Sequence, residues 1–174
     1  MQLPTNSPVP RPLAWLCLLL LGACSRAPAE EMSVPHVSGG TDVERGRYIV
    51  VVGGCNDCHT EGYLQTEGDI PEDQWLLGSQ LGWRGPWGTT FPPNLRLTVQ
   101  DYSEDEFVEL LHTRTALPPM PWMNLNQMVE SDARALFRYI ASLGAAGEVM
   151  PAALPPDVEP TTPYLSLVPV EPGS

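Results

Sequence analysis

The sequence predicts an all-α domain with three main helices joined by long loops. Two stretches open with capping boxes, formed by Thr41 with Glu44 and by Ser103 with Glu106, and a third has apolar residues at helical spacing after Ser131. No strand pattern is evident between residues 59 and 120. The 20 prolines and 15 glycines among 174 residues also exclude a chain that is helical throughout.

The amino terminus has the pattern of an export signal. An apolar run at residues 13–21 follows the single charge of Arg11 and ends in the small residues Gly22 and Ala23. The run is too short to span a bilayer, which takes about 20 residues. A buried core helix is the alternative, but four prolines directly before the run argue against it. We therefore predict that residues 1–23 are a signal peptide.

Cys24 ends this segment, and residues 21–24 (Leu-Gly-Ala-Cys) resemble a bacterial lipobox. The resemblance implies that Cys24 carries lipid, and several acyl chains on one residue anchor a protein stably. Cleavage nearby that leaves Cys24 a free thiol is the alternative. The resemblance predicts a periplasmic location, anchored to the inner or the outer membrane of a bacterium, with residues 24–40 as a linker.

Three helices are predicted from local signals. The first covers residues 42–52 and stops at two glycines, the second covers residues 104–113, and the third covers residues 132–143 with Ser131 as its N-cap. Gly46 would allow the first helix to approach the third closely, with three rings as possible partners: Tyr48, Phe137 and Tyr139.

The most specific motif is Cys-Asn-Asp-Cys-His at residues 55–59. It has three interpretations: a redox pair, half of a zinc site, or haem attachment. Zinc needs about four ligands, and the other two histidines, His36 and His112, do not form a second pair. A thiol oxidoreductase would need alternating strands and helices, which the sequence lacks. Haem attachment is the interpretation that fits the rest of the chain.

The spacing of this motif suits that chemistry. Residues three apart on a helical turn share one face, so Cys55 and Cys58 can each form a thioether to a haem vinyl group. His59 is then the proximal iron ligand. An electron-transfer haem needs a second axial ligand, and a thioether sulfur there raises the reduction potential. Three methionines are candidates: Met120, Met123 and Met128.

Between residues 46 and 143 the chain resembles a class I c-type cytochrome, especially the small domains that accompany bacterial periplasmic dehydrogenases and oxidases. The resemblance rests on four motifs in order: residues 45–49 leading through two glycines to Cys55, residues 91–95 (FPPNL), residues 119–122 (Pro-Met-Pro-Trp) and residues 132–140. It implies a class I cytochrome c fold around one covalent haem c. It also implies that Met120 is the distal ligand, with Met123 as the alternative.

The resemblance implies a carrier of single electrons that performs no bond chemistry of its own. Its donor would be a dehydrogenase or a quinol-linked complex, and its acceptor an oxidase or reductase. Two other functions stay open: a five-coordinate haem that senses a gas or removes peroxide, and a thiol oxidoreductase acting through Cys55 and Cys58.

The net charge of the chain limits the kinds of molecule that it can bind. Nine arginines and no lysine face 21 acidic residues, for a net charge of −12. Such acidity excludes a nucleic-acid role. Acids cluster at residues 67–73 and 104–109, within the predicted haem domain of residues 41–150. We therefore predict redox partners with a basic docking patch.

Several other residues have a structural and a functional interpretation. For five of them, packing is favoured over a bond to a haem propionate: Trp75, Trp83, Trp87, Arg84 and Arg96. His112 is predicted to be a solvated surface histidine rather than a distal ligand, and Met128 to fill the core.

The carboxyl-terminal tail, residues 151–174, holds seven prolines, three acids and no cation. Such a segment is predicted to be extended or disordered. Its apolar patch at residues 164–168 could dock on its own domain or on a partner.

Overall fold

The computed structural model describes residues 36–173, so the predicted signal peptide and Cys24 lie outside the described residues. The elements in chain order are α1 (Asp42–Val52), α2 (Cys55–His59), β1 (Gly82–Gly85), β2 (Gly88–Thr90), α3 (Leu95–Thr98), α4 (Glu104–Thr113), α5 (Trp122–Leu125), α6 (Glu130–Ser142) and β3 (Tyr164–Ser166). Short 3₁₀ turns occupy Glu72–Gln74 and Val99–Asp101. Within residues 36–173, no helix is both long and apolar enough to cross a membrane.

Reciprocal capping sets the start of two helices. At α1 the Thr41 hydroxyl accepts from the Glu44 amide at 3.2 Å, and the Glu44 carboxylate accepts from the Thr41 amide at 2.6 Å. At α4, Ser103 and Glu106 make the same pair of bonds at 3.3 and 2.8 Å. These bonds satisfy amides that a helix start otherwise leaves without partners. Both predicted capping boxes and both helix ranges are confirmed.

The predicted start of the third helix was wrong by two residues. The helix α6 begins at Glu130, with Val129 in extended conformation as its N-cap, and Ser131 lies inside the first turn. The carboxylate of Asp132 instead accepts from the amide of Val37, with both oxygens 3.2 Å away. The acid in this first turn of α6 therefore binds the segment before α1, which is distant in the sequence.

The main packing contact is the crossing of α1 and α6 at Gly46. A methyl group at Gly46 would lie 2.0 Å from the carbonyl oxygen of Ala135 and 2.6 Å from the Cβ of Tyr139. The expected close approach is therefore confirmed. Tyr139 is buried at the crossing, whereas Tyr48 is 55% exposed. Phe137 packs on Phe107 of α4, with ring centroids 5.4 Å apart.

A small sheet lies among the loops, although no strand was predicted from the sequence. Its order is β2-β1-β3, with β1 and β2 in an antiparallel hairpin and β3 parallel to β1. The strand β3 comes from the tail, which belongs to the same compact unit as the helices. The tail is therefore extended, as predicted, and its apolar patch pairs with its own domain.

Candidate functional site

Two glycines place the Cys-Asn-Asp-Cys-His turn directly after α1. The Gly53 amide donates to the Ile49 carbonyl and ends α1, and Gly54 has a left-handed backbone (φ 67°) that starts α2. Such a backbone favours glycine. Both Cys55 and Cys58 are half-buried free thiols on this single turn.

Burial governs the chemistry of both thiols. It raises the pKa of Cys55 to about 11, with a smaller contribution from the charge of Asp57. Burial, followed by the same carboxylate, also raises the pKa of Cys58. Both groups are therefore thiols at neutral pH. Reactive cysteines have the opposite property, since their pKa values are lowered to about 3.5–7.5.

The imidazole of His59 is buried and held in one orientation. Its Nδ1 lies 2.8 Å from the carbonyl oxygen of Pro93, which can only accept, so Nδ1 donates and Nε2 is the nitrogen with a free lone pair. Burial lowers the pKa of His59, and the bond to Pro93 only partly opposes that shift. A neutral, oriented imidazole is the form that binds a metal.

The FPPNL segment lies against this histidine. Besides the Pro93 contact, the Gly78 amide donates to the His59 carbonyl at 2.8 Å and the Ser79 amide donates to the Pro92 carbonyl at 3.2 Å. Asn94 fixes the segment at its end. Its side-chain oxygen caps α3, and its Nδ2 donates to the Ala146 carbonyl at 2.7 Å.

Residues 118–128 form the loop that carries the predicted distal ligand Met120, called the distal loop below. It is attached to the domain on both sides of Met120. Before it, the Thr90 hydroxyl donates to the Pro118 carbonyl at 2.7 Å. After it, the Asn126 side chain donates to the Leu111 carbonyl at 2.6 Å, and the Trp122 ring lies 5.0 Å from the Arg114 guanidinium. Met120 itself is half-buried.

The other two methionines occupy different surroundings. Met123 is 69% exposed. Met128 packs against the hydrophobic core, as predicted. The prediction for His112 was wrong: it is half-buried, and its Nε2 lies 2.9 Å from the Met128 carbonyl. This contact joins α4 to the end of the distal loop.

The two arginines considered for a haem propionate bind protein carbonyls instead. Arg96 donates to the carbonyls of Leu143, Gly144 (2.6 Å) and Asp73 (2.7 Å), which closes the end of α6. Arg84 donates to the carbonyls of Pro156 and Val158 in the tail at 3.1 and 2.8 Å. Their predicted packing roles agree with these contacts.

The tryptophans differ in how their ring nitrogens are satisfied. Trp75 is buried and donates to the Ile70 carbonyl at 2.8 Å. Trp83 lies in β1 and is half-buried. The Trp87 indole nitrogen is buried and has no hydrogen-bond partner. Buried donors are nearly always satisfied, so Trp87 could still donate to a bound group, and so could Asn56 in the Cys-Asn-Asp-Cys-His turn, whose Nδ2 is also buried without a partner.

Sequence reasoning did not single out Pro93 or Thr90 as parts of the site. Each acts through a contact across the fold, with His59 34 positions away and with Pro118 28 positions away. Pro93 lies within the FPPNL motif, which was noted in the sequence, but no local sequence signal distinguishes Thr90. Within the part of the chain that the structure describes, no three His, Cys, Asp or Glu side chains converge as a metal site.

Among curated proteins, the chain is similar to the fructose dehydrogenase cytochrome subunit of Gluconobacter japonicus. The two are 26% identical over 144 residues, which cover 79% of this chain and 27% of that protein. The chain thus spans about a quarter of the length of the relative it matches. No protein-family model matches the sequence, and no solved structure matches it.

Proposed function

We propose that residues 41–150 form a class I cytochrome c domain that carries single electrons on one covalent haem c. Cys55 and Cys58 would hold the haem through thioether bonds, and His59 and Met120 would bind its iron. The similarity to a dehydrogenase cytochrome subunit supports a cytochrome role in electron transfer. The bound haem supplies an iron that alternates between the ferric and ferrous states.

The observation that carries the proposal is the state of His59. Its ring is buried, its pKa is lowered and its Nδ1 is engaged, so Nε2 is left to bind iron. Thr90 and Pro93, three residues apart, contact the distal loop and His59 respectively. An extended chain of three residues covers about 10 Å. This short connection supports the assignment of both residues to one bound group.

The residues of the domain hold the ligands rather than react. The bond from His59 to Pro93 fixes the proximal ring, and the contacts on both sides of Met120 restrain the distal loop. Fixed ligands keep the structural rearrangement small when the haem gains or loses one electron. Packing was predicted for Trp87, but its buried indole nitrogen has no partner in the protein and would be able to donate to a haem propionate. We propose no catalysis by this chain itself.

The setting of the domain belongs to the same proposal. Lipid on Cys24 would anchor the protein at the periplasmic side of a bacterial membrane, and residues 24–40 would space the domain from it. The donor would be a dehydrogenase or a quinol-linked complex, and the acceptor an oxidase or reductase. The excess of acidic residues supports partners with a basic patch.

The raised pKa values of Cys55 and Cys58 count against a thiol oxidoreductase, because little thiolate is present at neutral pH. A five-coordinate haem would need an open distal position. The bonds that hold the Met120 loop on both sides count against it.

The test is a pyridine haemochrome assay on the full-length protein, produced together with haem-attachment machinery. We expect one covalent haem per chain. Cys55→Ala and Cys58→Ala should each leave a single thioether, which shifts the haemochrome absorption, and the double variant should lose covalent haem. A protein that carries no covalent haem but a reducible Cys55–Cys58 disulfide would overturn the proposal in favour of a thiol oxidoreductase. Rapid carbon monoxide binding by the reduced protein would instead favour a five-coordinate haem.

A further inference from the structure

The tail covers both edges of the β1–β2 hairpin. Leu154 pairs with Thr89 on the outer edge of β2, through two backbone hydrogen bonds of 2.8 and 2.9 Å. Ten residues later, the tail strand β3 pairs with β1 on the other edge. The hairpin therefore lies within a loop of the tail, which restrains both of its strands.

Arg84 fixes this arrangement from the centre of the hairpin. Its guanidinium donates to the two tail carbonyls described above and pairs with the Glu159 carboxylate at 3.1 Å. It also donates to the hydroxyl of Thr89 at 3.0 Å and lies 5.7 Å from the Tyr164 ring. One side chain thus joins β1, β2 and the tail. Its own exposure is only 19%.

The restrained strand β2 ends at Thr90, whose hydroxyl holds the Pro118 carbonyl. Pro118 stands two residues before Met120. A second acceptor, the Trp83 carbonyl, is 3.4 Å from the same hydroxyl, so the 2.7 Å bond to Pro118 is the stronger contact. A hydroxyl has one hydrogen to donate. The contact to the distal loop is therefore the principal one for Thr90.

We propose that Thr90 is a positioning residue for the distal ligand Met120, and that the tail acts on this ligand through Arg84 and β2. This inference rests on the proposed function, since it assumes that Met120 binds iron. Thr90 is assigned no contact with the iron or the haem. It fixes the backbone of the loop that carries the ligand.

The test measures how easily added imidazole displaces the methionine from the ferric protein, through loss of the weak long-wavelength absorption of a sulfur-ligated haem. Thr90→Val keeps the shape of the side chain and removes the hydroxyl. The loss of one hydrogen bond should raise the apparent imidazole affinity about three- to tenfold. The matched control is Thr66→Val, since the Thr66 hydroxyl bonds within an exposed turn, to the Gly62 carbonyl at 3.0 Å. That control should behave as the wild type.

Arg84→Gln tests the role of the tail and should shift the affinity in the same direction. Because the tail is proposed to act through Thr90, the effect of Arg84→Gln should shrink in a Thr90→Val background. Independent effects would overturn the role of the tail. If Arg84→Gln does not fold, as judged by circular dichroism, the variant Glu159→Gln takes its place in the test, because it removes a single partner of Arg84.

The outcomes separate this inference from the proposed function. A wild-type protein with covalent haem but without the sulfur-ligated absorption would refute the Met120 ligand, and the inference with it. A wild-type protein with that absorption and a Thr90→Val variant of unchanged imidazole affinity would refute the inference alone.

Discussion

At the scale of single residues, Met120 is the methionine that we propose as the iron ligand. Its loop is bonded to the domain on both sides, whereas Met123 is 69% exposed and Met128 is part of the core packing. We expect Met120→Ala to lose the long-wavelength absorption of a sulfur-ligated ferric haem and to lower the reduction potential, because a thioether favours the reduced iron.

Met123→Ala is the matched control, since it removes the same side chain three residues away. It should keep both the absorption and the potential. The opposite pattern, with Met123→Ala losing the absorption, would assign the ligand to Met123.

The sequence was sufficient to predict arrangements that follow from spacing along the chain. Cys55, Cys58 and His59 fall on one helical turn, and that geometry is local. The Pro93 carbonyl and the Thr90 hydroxyl could not be predicted in this way. Their partners come from other loops, and such contacts depend on how the whole chain folds.

At the scale of elements, the crossing of α1 and α6 depends on the missing side chain of Gly46. In Gly46→Ala, a methyl group would meet the backbone carbonyl of Ala135, which cannot turn away as a side chain can. We expect the free energy of unfolding to fall by about 2–3 kcal/mol, as for an overpacked core. The higher helix propensity of alanine, worth about 1 kcal/mol, offsets part of the clash.

The measurement is denaturant unfolding of the matured protein. Val52→Ala provides the control on the same helix, because Val52 is exposed. Its effect should stay within about 0.5 kcal/mol. A Gly46→Ala variant as stable as the wild type would mean that the two helices can separate at little cost.

Ion pairs hold α4, α6 and α1 together. Glu104 accepts from Arg134 at 3.1 Å and from Arg138 at 2.8 Å, and Arg138 also pairs with Asp42. These partners, Arg138 first, lower the pKa of Glu104 below its ordinary value of 4.5. A carboxyl group whose pKa is lower in the folded state than in the unfolded chain stabilises the folded state at pH values above the pKa of the unfolded chain. That stability is lost as the pH falls below about 4.5.

We therefore expect Glu104→Gln to lower the free energy of unfolding at pH 7 by about 1 kcal/mol and to weaken its dependence on pH in the acid range. Glu109→Gln removes the same charge from an exposed position of α4 and serves as the control. Unfolding curves at several pH values measure both effects. Parallel acid profiles for the wild type and Glu104→Gln would contradict the role of this cluster.

The starts of α1 and α4 were predictable because each is encoded within four residues, as the two capping boxes show. The start of α6 has no side-chain cap and was predicted two residues too late. The strands were not predictable in this way. They are three or four residues long, β1 and β2 are rich in glycine, and β3 pairs with a strand about 80 residues earlier in the chain. Short strands of this kind gain their order from tertiary pairing rather than from a local pattern.

At the scale of the whole molecule, the net charge of −12 should govern how the protein meets redox partners. Opposite charges attract over distances that salt shortens, from about 30 Å at 0.01 M to 10 Å at 0.1 M. Electron exchange with the cationic reagent hexaammineruthenium(III) should therefore slow as salt is added. Exchange with anionic ferricyanide should become faster, which serves as the control. Stopped-flow rates that do not change with salt for either reagent would refute this prediction.

The pairing of the tail with both edges of the hairpin has a consequence for the synthesis and folding of the chain. Residues 82–90 are synthesised long before residues 154–167, so the hairpin has two open edges until those later residues have been made. Open edges are templates for pairing with other chains. A tail released from its own hairpin is equally complementary to the hairpin of a second copy. We expect strand exchange between molecules to begin at this point when the protein is concentrated and briefly destabilised.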